Sequence, residues 1–167
     1  FNNSPHTLRY LWLQLDQNIF QHDSTGQLSR TAPGFEEFSF RRFQYYKSME
    51  TYDGGYNLEA VTNSSGKALD YSVVDTMMRI DLPRPLKPGK RIQFKIKWNY
   101  KINNSKKIWA RTGYEYFEKD KNYLYEIAQF FPRMVAYTDY AGWQHKQFIG
   151  SGEFTLDFGD YDVAITV

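Results

Sequence analysis

The chain has 167 residues, enough for one domain, and its 4 Trp, 14 Tyr and 13 Phe make it 19% aromatic beside 24% charged, a composition that excludes a disordered tail. A formal net charge of +2 supplies no global field to draw in nucleic acid or an anionic membrane. The absence of cysteine excludes a disulfide framework, a thiolate zinc site and a cysteine nucleophile, and no apolar run approaches the roughly 18 residues that a membrane-spanning helix needs.

In chain order, runs rich in aromatic and β-branched residues predict strands over Thr7–Leu15, Phe38–Tyr46, Tyr56–Thr62, Tyr71–Val74 and Met77–Leu82. Gln17–Gln21 reads as a helical turn, and Leu82 to Gly89, holding Pro83, Pro85 and Pro88, as a rigid connector because proline removes ladder donors. Next comes the clearest signal in the chain: Ile92, Phe94, Ile96, Trp98, Tyr100 and Ile102 alternate with Arg91, Gln93, Lys95, Lys97, Asn99 and Lys101. Period two over that length predicts a half-buried strand from Arg91 to Ile102. Asn103–Lys121 reads as an irregular excursion, followed by strands at Tyr123–Phe131, Met134–Tyr137, Gly152–Phe158 and Tyr161–Val167.

Turn clusters at His22–Gly26, Asp53–Gly55, Asn63–Gly66 and Phe158–Asp160 punctuate these runs. The expected fold is all-β, an antiparallel β-sandwich with short helical turns, as one domain over residues 1–167. The sequence starts at Phe1 rather than Met, its opening residues do not read as a charged-then-apolar leader, and its last run, Tyr161–Val167, reads as an unfinished strand. The expectation is therefore a piece of a longer polypeptide whose signal peptide, if it has one, lies outside it.

Most catalytic constellations are missing. His6, His22 and His145 are scattered, with no His-Glu-x-x-His, so the chain lacks the usual catalytic zinc ligands and they read as surface histidines. Gly-x-Ser-x-Gly and the glycine-rich phosphate cradles are absent, and Ser64-Ser65-Gly66-Lys67 sits in a turn cluster rather than opening a helix. Asp157, Asp160 and Asp162 lack EF-hand spacing, and Glu36–Glu37 and Glu115/Glu118 are weak candidates for a glycosidase pair. Arg84 to Arg111 contains no acid and Glu153 to Asp162 no base, but Lys95, Lys97 and Lys101 share the face opposite Trp98 and Tyr100. Cations and rings on opposite faces cannot form one nucleic-acid surface; a solvated sheet face, with the acidic C-terminal hairpin as a candidate cross-strand neighbour, is the expectation.

The most distinctive stretch runs Ile127-Ala128-Gln129-Phe130-Phe131-Pro132-Arg133-Met134-Val135-Ala136-Tyr137, then Asp139, Gly142-Trp143, Gly152-Glu153-Phe154 and Asp157-Phe158-Gly159-Asp160-Tyr161-Asp162-Val163. It resembles the N-terminal β-domain of aminopeptidase N-like zinc metallopeptidases (gluzincins), in particular bacterial secreted members. Phe1-Asn2-Asn3-Ser4-Pro5 with Leu8 to Asn18, and Leu86 to Tyr100, are similar to that family's opening and to its proline-glycine loop and long strand. The resemblance implies a saddle-shaped β-sandwich packed on a catalytic domain of the same polypeptide. Zinc, its His-Glu-x-x-His and the Gly-x-Met-Glu-Asn exopeptidase motif belong to that domain, and neither motif occurs in this chain.

The same resemblance implies an extracytoplasmic protein, periplasmic or secreted; the charge balance and the lack of a long apolar run add the expectation of no nucleic-acid partner and no membrane insertion. The resemblance makes Gln129 the candidate contact to a peptide substrate's N-terminus; the alternative is a glutamine that hydrogen-bonds a neighbouring loop backbone. Arg133 and Asp139 are then an ion pair within or between domains, and Trp143 a structural or interdomain residue. The competing reading is a carbohydrate- or protein-binding β-sandwich module, with Trp12, Trp98, Trp109 and Trp143 as a stacking platform, although sandwich aromatics more often fill the core.

Overall fold

The structure, a computed structural model, describes residues 1–29, 38–150 and 160–166. Ten strands and two α-helices follow in chain order: β1 Leu8–Gln14, a 3₁₀ turn Asp16–Phe20, α1 Thr25–Leu28, α2 Phe40–Thr51, β2 Tyr56–Asn63, β3 Tyr71–Val74, β4 Met77–Leu86 and β5 Phe94–Tyr100. The hairpin β6 Gly113–Phe117 and β7 Asn122–Glu126 comes next, then the two-residue strands β8 Arg133–Met134, β9 Tyr137–Thr138 and β10 Gly142–Trp143. The fold is all-β with short helical elements, and every pairing between the described strands is antiparallel.

Two sheets share one core. The larger has the order β3-β4-β1-β8, and β2 pairs with β5 in the second. Leu11, Leu13 and Leu15 from the β1 region and Met78 and Ile80 from β4 join Tyr56 and Val61 of β2 in a single buried cluster. Phe94, Ile96, Trp98 and Tyr100 close it from β5, so the alternation read in the sequence does turn its rings inward and Lys95 and Lys97 outward. Lys97 is paired with Glu59 of β2. The acidic C-terminal hairpin expected as its neighbour falls largely outside the described residues.

Two irregularities set which residues face where. In β2, Leu58 is opposite Trp98 and Ala60 opposite Lys97, which makes Glu59 an extra residue. A bulge of this kind shifts the phase by one, so Leu58 before it and Val61 after it both pack on the core. In β1, Leu8 is opposite Leu86 and Tyr10 opposite Asp81, leaving Leu82 to Pro85 across from Arg9 alone. Pro83 and Pro85, which have no N–H to give the ladder, fall inside this irregularity rather than in a connector ahead of the next strand.

Four expectations are corrected. Phe38–Tyr46 is not a strand: Ser39 caps helix α2 by accepting from the Arg42 amide at 3.3 Å, and Phe40 and Phe43 lie three apart on the helix. Within Asn103–Lys121, Tyr114 and Tyr116 build β6 instead of an excursion. The predicted strands Tyr123–Phe131 and Met134–Tyr137 shrink to β7 and to the short β8 and β9. Residues 160–166 carry no strand; Tyr161 is tied by its side chain, its hydroxyl accepting from the Met134 amide at 3.1 Å and its ring edge-on to Phe131. The predicted strand Gly152–Phe158 lies outside the described residues, as do Glu36 and Glu37.

Candidate functional site

Where β1 ends, the chain enters a 3₁₀ turn whose first three side chains, Asp16, Gln17 and Asn18, are polar and buried. Buried polar groups must be hydrogen-bonded, and each of these three binds a different segment. Asn18 donates to the Asp75 carbonyl in the β3–β4 turn at 2.8 Å and accepts from the Tyr56 amide at the start of β2 at 2.8 Å. Gln17 donates to the carbonyls of Ala128 at 3.0 Å and Gln129 at 3.2 Å. Asp16 accepts from Gln14 at 2.8 Å and from Nη2 of Arg133 at 2.7 Å.

The turn thereby fixes the loop that carries Gln129. Three successive carbonyls of that loop are held, since the Tyr56 hydroxyl donates to Gln129 at 2.9 Å and the Trp98 indole N–H to Phe130 at 3.1 Å. Gln129 itself has φ of 56°, a left-handed conformation that a non-glycine residue adopts only at a cost of order 1–3 kcal/mol and only where the surroundings enforce it. Burial pushes the Tyr56 phenol far above its ordinary pKa, with the Asp16 carboxylate adding to the effect, so the hydroxyl stays protonated and remains a donor.

Asp16 is almost wholly buried and Arg133 partly so. Burial raises the Asp16 pKa more than the Arg133 guanidinium, the Gln14 amide and a backbone bond lower it. The arginine and glutamine thus keep a costly carboxylate in place beneath the loop.

Of the four residues singled out in the sequence, Gln129 and Arg133 meet around this turn. Asp139 does not join them. The expected Arg133–Asp139 pair is replaced by Arg133–Asp16, because β8 pairs Gln14 of β1 with Arg133 and brings the guanidinium over the residue that follows β1. Asp139 is exposed in the β9–β10 turn. Trp143 is half-buried, edge-on to Tyr137 with ring centres 5.1 Å apart, and packs against the core, which is a structural position.

The Gln129 side-chain amide makes no hydrogen bond among the described residues; the glutamine that binds loop backbone is Gln17. Sequence reasoning missed Gln17, Tyr56 and Asp16, and the available signal was three polar residues in succession immediately after an apolar strand. His6, His22 and His145 are all exposed. Among the described residues no three His, Asp or Glu side chains gather where one metal ion could bind. No described helix is long and apolar enough to cross a membrane. Comparison of the chain with protein-family models, with curated proteins and with solved structures finds no match.

Proposed function

We propose that this chain is the non-catalytic N-terminal domain of a zinc-dependent aminopeptidase-like metallopeptidase, packing on the catalytic domain of the same polypeptide and helping to shape its substrate site. The observation that carries the reading is the Gln129 loop. A strained residue whose neighbouring carbonyls are fixed by Gln17, Tyr56 and Trp98 is a preorganised contact with an unused amide, and preorganised strain of this kind clusters at ligand clamps.

The side-chain amide oxygen of Gln129 would accept from the free amine of a peptide substrate, while zinc and the general base act from the other domain. This reading also puts the protein outside the cytoplasm, in the periplasm or secreted. The domain contact it requires has a candidate surface in the β6–β7 hairpin, where Tyr116, Phe117, Tyr123, Leu124 and Tyr125 are exposed; apolar exposure on this scale marks an interaction site.

The test is aminoacyl-anilide hydrolysis by the complete polypeptide, with and without Gln129→Ala. A hydrogen bond to a charged amine is worth about 1.5–3 kcal/mol, so Gln129→Ala is expected to lower kcat/KM by about tenfold to a hundredfold, chiefly through KM. A complete polypeptide without aminopeptidase activity, or a variant with unchanged kcat/KM, overturns the proposal.

A further inference from the structure

A concave site borders the start of β1. A cleft of about 400 Å³ is bordered by Arg9 and Tyr10 together with Tyr137, Gly142, Trp143 and His145. That volume is within the range of small-molecule pockets, which combine ring-lined walls with a few polar groups. Its walls carry the rings of Tyr10, Tyr137, Trp143 and His145, and none of its bordering residues is an acid.

The charges around it are unequal. Arg79 lies over the Tyr10 ring at 4.3 Å and is already neutralised by Asp81 at 2.6 Å. Arg9 is exposed and has no ion pair or hydrogen bond among the described residues. The register shift between Leu8 and Tyr10 falls at this edge of the sheet, and Arg9 and Tyr10 both border the cleft.

His145 is held in place as well. Its ring stacks on Trp12 with centres 4.9 Å apart, and Nδ1 lies 2.8 Å from the Trp143 carbonyl oxygen. A carbonyl only accepts, so Nδ1 donates to it and the ring is fixed in orientation. His6 Nδ1 and the Tyr137 hydroxyl, 2.8 Å apart, fix the Tyr137 ring.

We infer that this cleft binds a small carboxylate whose body is a six-membered ring, the carboxylate pairing with Arg9 and the ring lying against Trp143 and Tyr10. Arg presents a planar fork matched to a carboxylate, and flat side chains receive either an aromatic ring or the apolar face of a sugar. This inference is independent of the Gln129 loop and of any catalytic domain.

The experiment is a titration of the ¹⁵N-labelled chain, followed by amide shifts and tryptophan fluorescence, with D-glucuronate and phenylacetate as probes and glucose and phenylethanol as their neutral counterparts. One acid is expected to shift the amides of Arg9, Tyr10, Gly142 and Trp143 and to bind at least about tenfold tighter than its neutral counterpart, the factor that about 1.4 kcal/mol gives. Glucuronate as that ligand identifies an acidic sugar, and phenylacetate an aromatic acid. Arg9→Gln, a change at an exposed position, is expected to bring the acid down to the affinity of the neutral compound with the circular dichroism unchanged. Absence of shifts at these amides at millimolar acid, equal binding of acid and neutral compound, or an Arg9→Gln variant that binds like the parent overturns the inference.

Discussion

At the scale of single residues, the strain at Gln129 is tied to a small set of donors. Tyr56→Phe keeps the buried ring in the core and deletes only the hydroxyl that reaches the Gln129 carbonyl. The expected loss is about 1 kcal/mol, the ordinary net worth of such a bond, read as a lower urea midpoint with an unchanged slope. Arg133→Ala acts differently because it strands the Asp16 carboxylate, 1% exposed, without its cation. Breaking a buried pair in this way costs about 3–5 kcal/mol near neutrality, and acid relieves the loss as Asp16 takes up a proton.

The parent protein has a pH dependence of the same sign. Asp16 has a folded-state pKa raised above its ordinary value, mainly by burial. Between the two values the native state holds a proton that the unfolded state has lost, so stability falls as pH rises through that window and levels off above it. Asp16→Asn is expected to remove this part of the slope in urea midpoints measured from acid to neutrality; a slope that survives in the variant assigns it to another group.

At the scale of elements, β6–β7 shows how one position can hold a hairpin. Gly113 has φ of 150°, and a Cβ there would sit 2.9 Å from the Asn103 carbonyl oxygen and 3.0 Å from Asn103 Nδ2. That carbonyl accepts from the Tyr114 amide at 2.8 Å, and the Ser105 amide donates to the Tyr114 carbonyl at 3.0 Å, so the 103–105 segment anchors β6. Gly113→Ala is expected to cost about 1 kcal/mol or more. The anchoring amides, Ser105 and Tyr114, should then lose hydrogen-exchange protection before those of β1 and β4 do.

Legibility in the sequence followed the physics of each element. Strand β5 was readable because one of its faces is buried and the other solvated, which writes period two directly into residue type. Helix α2 was not, because its aromatics are also strand formers and none of its residues is buried; without a packed face the helical period is faint, and the Ser39 cap is the stronger local signal. The C-terminal run around Tyr161 has strand composition, but within 160–166 it is held by a hydroxyl and a ring contact rather than by a ladder. At the site, Gln129 and Arg133 stand in the most distinctive stretch of the sequence, whereas the partner of Arg133 depends on the register of β8 against β1, a long-range pairing that residue spacing does not encode.

At the scale of the whole molecule, stability and exposure are unevenly distributed. The two facing sheets hold the buried cluster, with Met78 and Ile80 fully enclosed. Among the described residues the hairpin β6–β7 pairs with no third strand and is tied to the 103–106 segment at Tyr114 and by the Lys106–Glu115 ion pair. Its tyrosines pair across the strands, Tyr114 with Tyr125 and Tyr116 with Tyr123, and three of these four rings are exposed. A two-stranded unit is marginal in water, and aromatic cross-strand pairs add only about 0.2–1 kcal/mol each. The hairpin should therefore open locally at a free energy well below that of the core sheets.

That difference makes the domain contact testable without reference to catalysis. If a catalytic domain packs on this hairpin, the amides of 114–117 and 122–126 exchange rapidly in the isolated chain and gain protection in the complete polypeptide, while the amides of β1 and β4 change little. Should the new protection fall on α2, whose Phe40 and Phe43 are also exposed, the docking face is the helix and the hairpin has another partner. Protection that is the same in both proteins at every amide removes the packing role altogether, because a surface covered by another domain cannot keep the exchange rates it has in water.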